Sequence, residues 1–271
     1  MNEKEKCINH IFSKRNDIKQ GTLIKKENPH IIAIIPSRYA SSRFPGKPLA
    51  NILGKPMIQW VYEKVSSVSE ISEVYVATDD KRIFEAVTKF GGKAIMTGEC
   101  SCGSDRVYQA CEKINANIIL NIQGDEPSIK TEMIRDLISA FNDSDVQMAT
   151  LKKEITADED VNNPNMVKVI TDVNDNALYF SRSPIPFNRD SVEGVKYYKH
   201  IGVYGYTKEF LKKFVSMPQS SFEKTESLEQ LRAIENGYKI RVIETKYQSI
   251  GVDLPEHVGL VEEELKKEGL A

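Results

Sequence analysis

Between residues 31 and 141, short apolar runs alternate with longer amphipathic segments, and this alternation limits the chain to one kind of architecture. Residues 31–35, 74–77, 93–96 and 117–122 have strand length, and 117–122 is the most apolar of them. Residues 57–65 place Met57, Ile58, Val61 and Val65 on one helical face. Residues 81–90 turn Ile83, Phe84 and Val87 inward and close on Gly91-Gly92, and 104–114 and 130–141 are two further helices. Strand and helix in alternation predict right-handed β-α-β units and a mostly parallel sheet with both faces covered.

The pattern changes after about Ala149. Residues 167–170 and 177–181 flank the turn Asn174-Asp175-Asn176 and predict a hairpin. A strand at 200–206, a helix at 223–236 with Leu228, Leu231 and Ile234 inward, a strand at 239–244 and a charged helix at 254–268 follow. Residues 1–29 are polar and end in Asn28-Pro29, which predicts an extension outside the main core. The remainder, 30–271, reads as one domain: a nucleotide half to about 150, a mixed-strand lobe at about 151–250, and the terminal helix.

Bulk properties exclude several functions. A net charge of −2 gives no electrostatic footprint for nucleic acid. No apolar run approaches a membrane span, and residues 1–29 lack the apolar centre of a signal peptide. The four cysteines, Cys7, Cys100, Cys102 and Cys111, form no C-x-x-C pair, and Cys100 with Cys102 supplies too few ligands for structural zinc. Reduced thiols in a cytoplasmic protein is the expectation.

The chemistry concentrates where apolar runs end. After residues 31–35 the chain stops at Pro36 and enters a loop carrying Arg38, Arg43 and Lys47 among Ala40, Ser41, Ser42 and Gly46. Small residues let backbone N–H groups approach an anion, and the cations neutralise it, so the loop predicts a polyphosphate site. It is neither a Walker A loop nor a G-x-G-x-x-G fingerprint. After 117–122 come Gln123-Gly124-Asp125-Glu126-Pro127, an acidic pair suited to a divalent cation, though also to a simple turn. The third segment is Gly251-Val252-Asp253, where by local sequence Asp253 reads as an N-cap with Glu256 completing a capping box.

Taken in order, IIPSRYASSRFPGKPL, VYVATDD, CGSDRV, NIQGDEP, NPNMVKV, ALYFSRSPIP, HIGVYGY, LEQLR and GVD followed by Pro255-Glu256 resemble the 3-deoxy-manno-octulosonate (Kdo) cytidylyltransferase family, CMP-Kdo synthetase. The resemblance runs from about Ile31 to about Leu265. It implies a three-layer, Rossmann-like α/β nucleotidyltransferase with a mostly parallel mixed sheet and a smaller lobe for sugar and dimer contacts. It also implies a Mg²⁺-dependent reaction of CTP with Kdo that gives CMP-Kdo and pyrophosphate for lipopolysaccharide-type glycans, in a cytoplasmic homodimer. Matched to this sequence, the nucleotide site implied is Pro36, Arg38, Arg43, Lys47, Cys102, Gly103 and Ser104, and the metal residues are Asp125 and Asp253. Arg38, Lys47, Asp125 and Asp253 are the catalytic set. The sugar residues implied are Arg182 for the carboxylate and Gln123, His200, Tyr204, Glu229 and Gln230 for hydroxyls.

One position departs from the family: Cys102 stands where Ser usually precedes Gly, near the cytosine. A thiol there is tolerated if the base is read by backbone groups and harmful if it is read by a hydroxyl. Alternative readings are a cytidylyltransferase for amino-Kdo or a sialic acid, and an inactive nucleotide-binding paralogue. A glycosyltransferase D-x-D motif at Asp158-Glu159-Asp160 is disfavoured because it sits in a polar loop.

Overall fold

The computed structural model of the protein describes residues 29–40, 43–157 and 159–270. The expected extension before Pro29, together with Cys7, Ser41, Ser42 and Asp158, lies outside the described residues.

In chain order the strands are β1 (Ile31–Ser37), β2 (Asn51–Ile52), β3 (Lys55–Pro56), β4 (Glu73–Thr78), β5 (Ala94–Met96), β6 (Ile118–Asn121), β7 (Met148–Glu154), β8 (Lys168–Thr171), β9 (Ala177–Ser181), β10 (Tyr198–Thr207) and β11 (Arg241–Glu244). The helices are α1 (Met57–Ser66), α2 (Lys81–Lys89), α3 (Gly103–Cys111), α4 (Thr131–Ser139), α5 (Lys208–Ser216), α6 (Ser221–Glu226), α7 (Leu231–Glu235) and α8 (His257–Lys267).

The main sheet runs β11-β7-β10-β6-β1-β4-β5, and the β8–β9 hairpin branches from β10. β1 is parallel to β4 and β6, β5 to β4, and β11 to β7, while β10 is antiparallel to both neighbours. β1 shows why the sheet is covered twice. Its odd-numbered residues Ile31, Ala33 and Ile35 pack with Ile58, Val61 and Val65 of α1 and with Met133, Ile134 and Leu137 of α4. Its even-numbered Ile32 and Ile34 pack on the other face with Val107 and Cys111 of α3 and Phe210 and Phe214 of α5. Ile31 to Ile35 are all at most 4% exposed, the burial of each isoleucine worth about 1.5–3 kcal/mol. A third cluster joins Val261 and Leu265 of α8 to Ile52, Met57, Trp60 and Val252. That cluster brings the carboxyl-terminal segment back over the first loop.

Three expectations need correction. The predicted helix 223–236 is two helices, broken where Ser227 adopts φ 52. The break lets Arg232 reach back to Glu223, a contact that a continuous helix would not form across nine residues. The terminal helix begins at His257 rather than near Leu254, with Glu256 at its N-cap and no side-chain cap. Asp253 is therefore not the cap; its carboxylate is paired elsewhere. Third, β7 and α5 were not anticipated. In β7 the lysines obscure the pattern, yet Lys152 is 5% exposed, its Nζ bonded to Thr171 Oγ1 at 2.9 Å. The hairpin turn formed as expected: Asp172 Oδ1 accepts from the Asn174 and Asn176 amides, and Asp175 takes φ 57. Among the described residues no helix is long and apolar enough to cross a membrane.

Candidate active site

The chain runs from β1 outward through β4 to β5, then returns to place β6 on the other side of β1. The loops leaving β1 and β6 therefore part at a switch point, where open α/β sheets bind ligands beyond the strands' carboxyl ends. A cleft of about 520 Å³ opens there, lined by Pro36, Arg38, Arg43, Lys47, Gln123, Asp125 and Asp253 among others.

The first loop is held in shape before it meets any ligand. Gly46 takes φ 72 and donates its N–H to Tyr39 O at 2.9 Å. A Cβ there would lie 3.0 Å from the Tyr39 hydroxyl, so both conformation and space require glycine. The next residues, Lys47–Leu49, form a single 3₁₀ turn with Pro48 buried, which fixes where Lys47 points. Lys47 Nζ lies 2.6 Å from Asp125 Oδ2 and 3.6 Å from Asp253 Oδ1, and Arg43 reaches Asp253 at 3.1 Å.

The second loop needs Gly124 for a different reason. A Cβ at 124 would stand 2.6 Å from Ser37 Oγ and 3.1 Å from Pro36 O, so the two strand ends approach closely only without a side chain. Ser37 Oγ is buried and has no hydrogen-bond partner among the described residues. Glu126 follows Asp125 but turns away from the cleft, accepting from Ser249 Oγ at 2.5 Å. Burial pushes its carboxyl up to about 7; Ser249 opposes the shift, while the charges of Asp125 and Asp253 add to it.

The sequence assigns no role to Arg106 or Asp79, although the quoted motifs contain both, and it offers Glu126 only as half of an acidic pair for a cation or a turn. Arg106 is 1% exposed and also lines the cleft. Its guanidinium is held by Asp79 at 2.6 Å and by the Thr97 hydroxyl. The signal was present, since an arginine on the inward face of a predicted helix needs a partner carboxylate.

The remaining residues form two groups. Cys102 is the N-cap of α3, accepting weakly from Asp105 N at 3.5 Å, so the thiol takes the place a serine hydroxyl would take. Its Sγ and the Ser104 hydroxyl both donate to Glu229 at 2.9 Å. Burial raises the Glu229 carboxyl, opposed by those two donors, and burial with the Glu229 charge raises the Cys102 thiol well above its usual range. Gln230, beside it, has its Nε2 buried and without a partner among the described residues.

His200 and Tyr204 of β10 belong to an aromatic series that begins on β9: Phe180 meets His200 edge-on at 5.0 Å, and Tyr204 lies 5.4 Å from His200. Thr150 Oγ1 donates to Val203 O at 2.7 Å, so toward His200 Nε2, 2.9 Å away, it accepts. Burial lowers His200 to about 3, which keeps the ring neutral with Nδ1 as its acceptor. His200 lines a second cleft of about 520 Å³ with Glu126, Asn163, Lys199 and Ser249. Arg182, Tyr204, Glu229 and Gln230 line neither cleft. The Arg182 guanidinium donates to three main-chain carbonyls: Glu226 at 2.7 Å, Pro164 at 2.9 Å and Ser227 at 3.3 Å. It fastens the Pro164 loop to the end of α6. Glu159 of the rejected D-x-D motif is paired with Lys199.

A family profile described as Cytidylyltransferase matches residues 32–240. A 3-deoxy-manno-octulosonate cytidylyltransferase of Thermodesulfovibrio yellowstonii is 50% identical over 245 residues, covering 85% of this chain and 96% of the relative. One of Geobacter sulfurreducens is 49% identical over 249 residues, covering 88% and 100%. The chain belongs to the 3-deoxy-manno-octulosonate cytidylyltransferase family. A solved CMP:2-keto-3-deoxy-manno-octonic acid synthetase, complexed with CTP, superposes with TM-score 0.84 at 43% identity, covering 88% of this chain and 99% of that one. A 4-diphosphocytidyl-2C-methyl-D-erythritol synthase from Anaerococcus prevotii shares the fold alone, at TM-score 0.59 and 17% identity. The family's α/β architecture with a mostly parallel central sheet is thus the architecture of this chain.

Proposed function

We propose that this protein activates Kdo with CTP, forming CMP-Kdo and releasing pyrophosphate. The observation that carries the reading is Lys47 lodged between Asp125 and Asp253 in a cationic cleft at the sheet's switch point. Such a transfer is mostly positioning and charge neutralisation. The anomeric hydroxyl of Kdo attacks the α-phosphorus of CTP, the bond to the β-phosphate oxygen breaks, and the hydroxyl proton passes to solvent. Arg38, Arg43 and Lys47 hold the triphosphate and offset the charge on departing pyrophosphate. Pro36 and Gly103, which line the cleft, meet the rest of the nucleotide, and Cys102 and Ser104, whose side chains bond Glu229, flank Gly103. The family resemblance assigns Gln123, Arg182, His200, Tyr204, Glu229 and Gln230 to the sugar acid; of these Gln123 and His200 line the two clefts, with neutral His200 as a hydrogen-bonding group rather than an acid, while the Arg182 guanidinium is committed to three main-chain carbonyls.

The donor set fits a divalent cation. Among the described residues no three His, Cys, Asp or Glu side chains gather as a cage, but Mg²⁺ is ordinarily held by one or two carboxylates plus substrate phosphates and water. Asp125 and Asp253 would hold it, and when bound it supplies charge neutralisation at phosphate oxygens and a more acidic hydroxyl.

The lobe carries exposed Phe187 and Val192, 85% and 61% accessible, which suits a contact between two copies in a homodimer; a cytoplasmic location accords with the free thiols of Cys100, Cys102 and Cys111. The deciding experiment is pyrophosphate release across CTP, ATP and GTP with Kdo, amino-Kdo and a sialic acid, with Mg²⁺ or EDTA. Turnover confined to CTP, Kdo and Mg²⁺ is expected. ATP or GTP working as well as CTP, or indifference to EDTA, refutes the reading.

A further inference from the structure

We propose that Glu126 is a positioning residue: it clasps segment 249–253 onto the loop after β6 and so sets the spacing of the Asp125 and Asp253 carboxylates. Asp253 lies in the stretch between the end of β11 at Glu244 and the start of α8 at His257, where no helix or strand fixes it. Asp253 N donates to His257 Nδ1 at 3.1 Å, and among the described residues four hydrogen bonds tie residues 249–252 to the loop after β6. Ser249 Oγ donates to Glu126 Oε2 at 2.5 Å, Ile250 N donates to Ser128 Oγ at 2.6 Å, Ser128 Oγ donates back to Ile250 O at 3.3 Å, and Val252 N donates to Asp125 O at 2.8 Å. Only the first joins two side chains without any main-chain group, so it alone can be removed without altering a backbone partner.

Two further observations single out Glu126. Asp125 lines the first cleft and Glu126 the second, so the neighbouring carboxylates open onto different clefts. Its other oxygen, Oε1, lies 3.1 Å from where a Cβ on Gly251 would stand, so the segment presses its one glycine against the carboxylate. Val252, 1% exposed and packed with Trp60 and Val261, anchors the far side of the clasp. With both sides held, Asp253 arrives beside Lys47, which also holds Asp125. The consequence for metal affinity rests on the reading of Asp125 and Asp253 as metal carboxylates; the clasp itself does not.

The test compares Glu126→Ala, Ser249→Ala and Glu126→Gln in the full chain. Three quantities are read: amide hydrogen exchange at Ile250 and Val252 without ligand, Mn²⁺ affinity with CTP by electron paramagnetic resonance, and kcat with KM for CTP. Both alanine variants should speed exchange and weaken Mn²⁺ binding about tenfold, the equivalent of one buried hydrogen bond, with kcat falling more than KM rises. Glu126→Gln keeps an oxygen for the Ser249 hydroxyl and should restore all three. Unchanged exchange and affinity in both alanine variants overturns the proposal. So does a Gln variant as impaired as Ala, which would mean the carboxylate acts through its charge. If the wild-type protein binds no Mn²⁺ while exchange responds as stated, the metal reading fails and the clasp stands. Should Glu126→Ala not fold, Ser249→Ala removes a single hydroxyl and carries the same readouts.

Discussion

The ion pair between Glu223 and Arg232 permits a prediction whose size follows from its geometry. Arg232 Nε and Nη2 donate to the two Glu223 oxygens at 2.8 and 2.6 Å, with side chains 8% and 5% exposed. The pair spans the break at Ser227 and so holds α7 against α6, with Glu229 and Gln230 between them. Glu223→Ala leaves a buried guanidinium without its partner, a loss of about 3–5 kcal/mol. In a chain of this size that lowers Tm by about 6–20 °C if unfolding is cooperative. Glu223→Gln, which keeps shape but not charge, should fall between. Replacing both residues, Glu223→Leu with Arg232→Met, should recover most of the loss, because neither member of the pair is left as a buried charge without its partner. Urea denaturation gives the free energies, and KM for Kdo reports on Glu229, 3.8 Å from Arg232. The pair also has a pH signature. Burial alone would raise the Glu223 carboxyl, but the Arg232 hydrogen bonds outweigh it and hold it below its ordinary 4.5. Its contribution is therefore present in full above pH 4.5 and is lost as pH falls through the lowered folded value. Glu223→Gln should lose that acid sensitivity. The reasoning is refuted if Glu223→Ala lies within about 1 kcal/mol of wild type, or if the double variant is no more stable than the single one.

Other outcomes follow from the same contacts. Asp125→Asn should leave Tm nearly unchanged and cut pyrophosphate release by about a hundredfold or more; retained activity would remove Asp125 from the site. Gly124→Ala forces a methyl against Ser37 Oγ and Pro36 O and should cost about 1–3 kcal/mol with loss of CTP binding, read by calorimetry and thermal melting. Cys102→Ser should keep the Glu229 contact and cap α3 better, raising stability by up to about 1 kcal/mol while leaving CTP preference unchanged. Arg182→Lys should raise KM for Kdo more than for CTP and also lower Tm, since lysine cannot reach three carbonyls at once. A shifted KM with normal Tm would assign it to substrate alone.

Local sequence determined most of the first half. The strand–helix alternation, the apolar positions of each helix and the glycine turns are near-neighbour properties, so residues 57–66 and 81–89 formed almost where periodicity placed them. The cationic loop and the Gly124-Asp125 turn were legible because each directly follows a buried strand. What the chain order could not convey was any relation across distance. Lys47, Asp125 and Asp253 meet only because β6 returns beside β1 and because Val252, Val261 and Leu265 pack on Ile52 and Trp60. For that reason Asp253 looked like a helix cap until its partners were in place. The same holds for Arg182, whose donors are taken up by carbonyls 18, 44 and 45 residues away, and for the broken helix at Ser227. Periodicity records which side of an element is apolar; only tertiary packing decides which charged groups face one another, because that depends on contacts between segments whose spacing no local pattern contains.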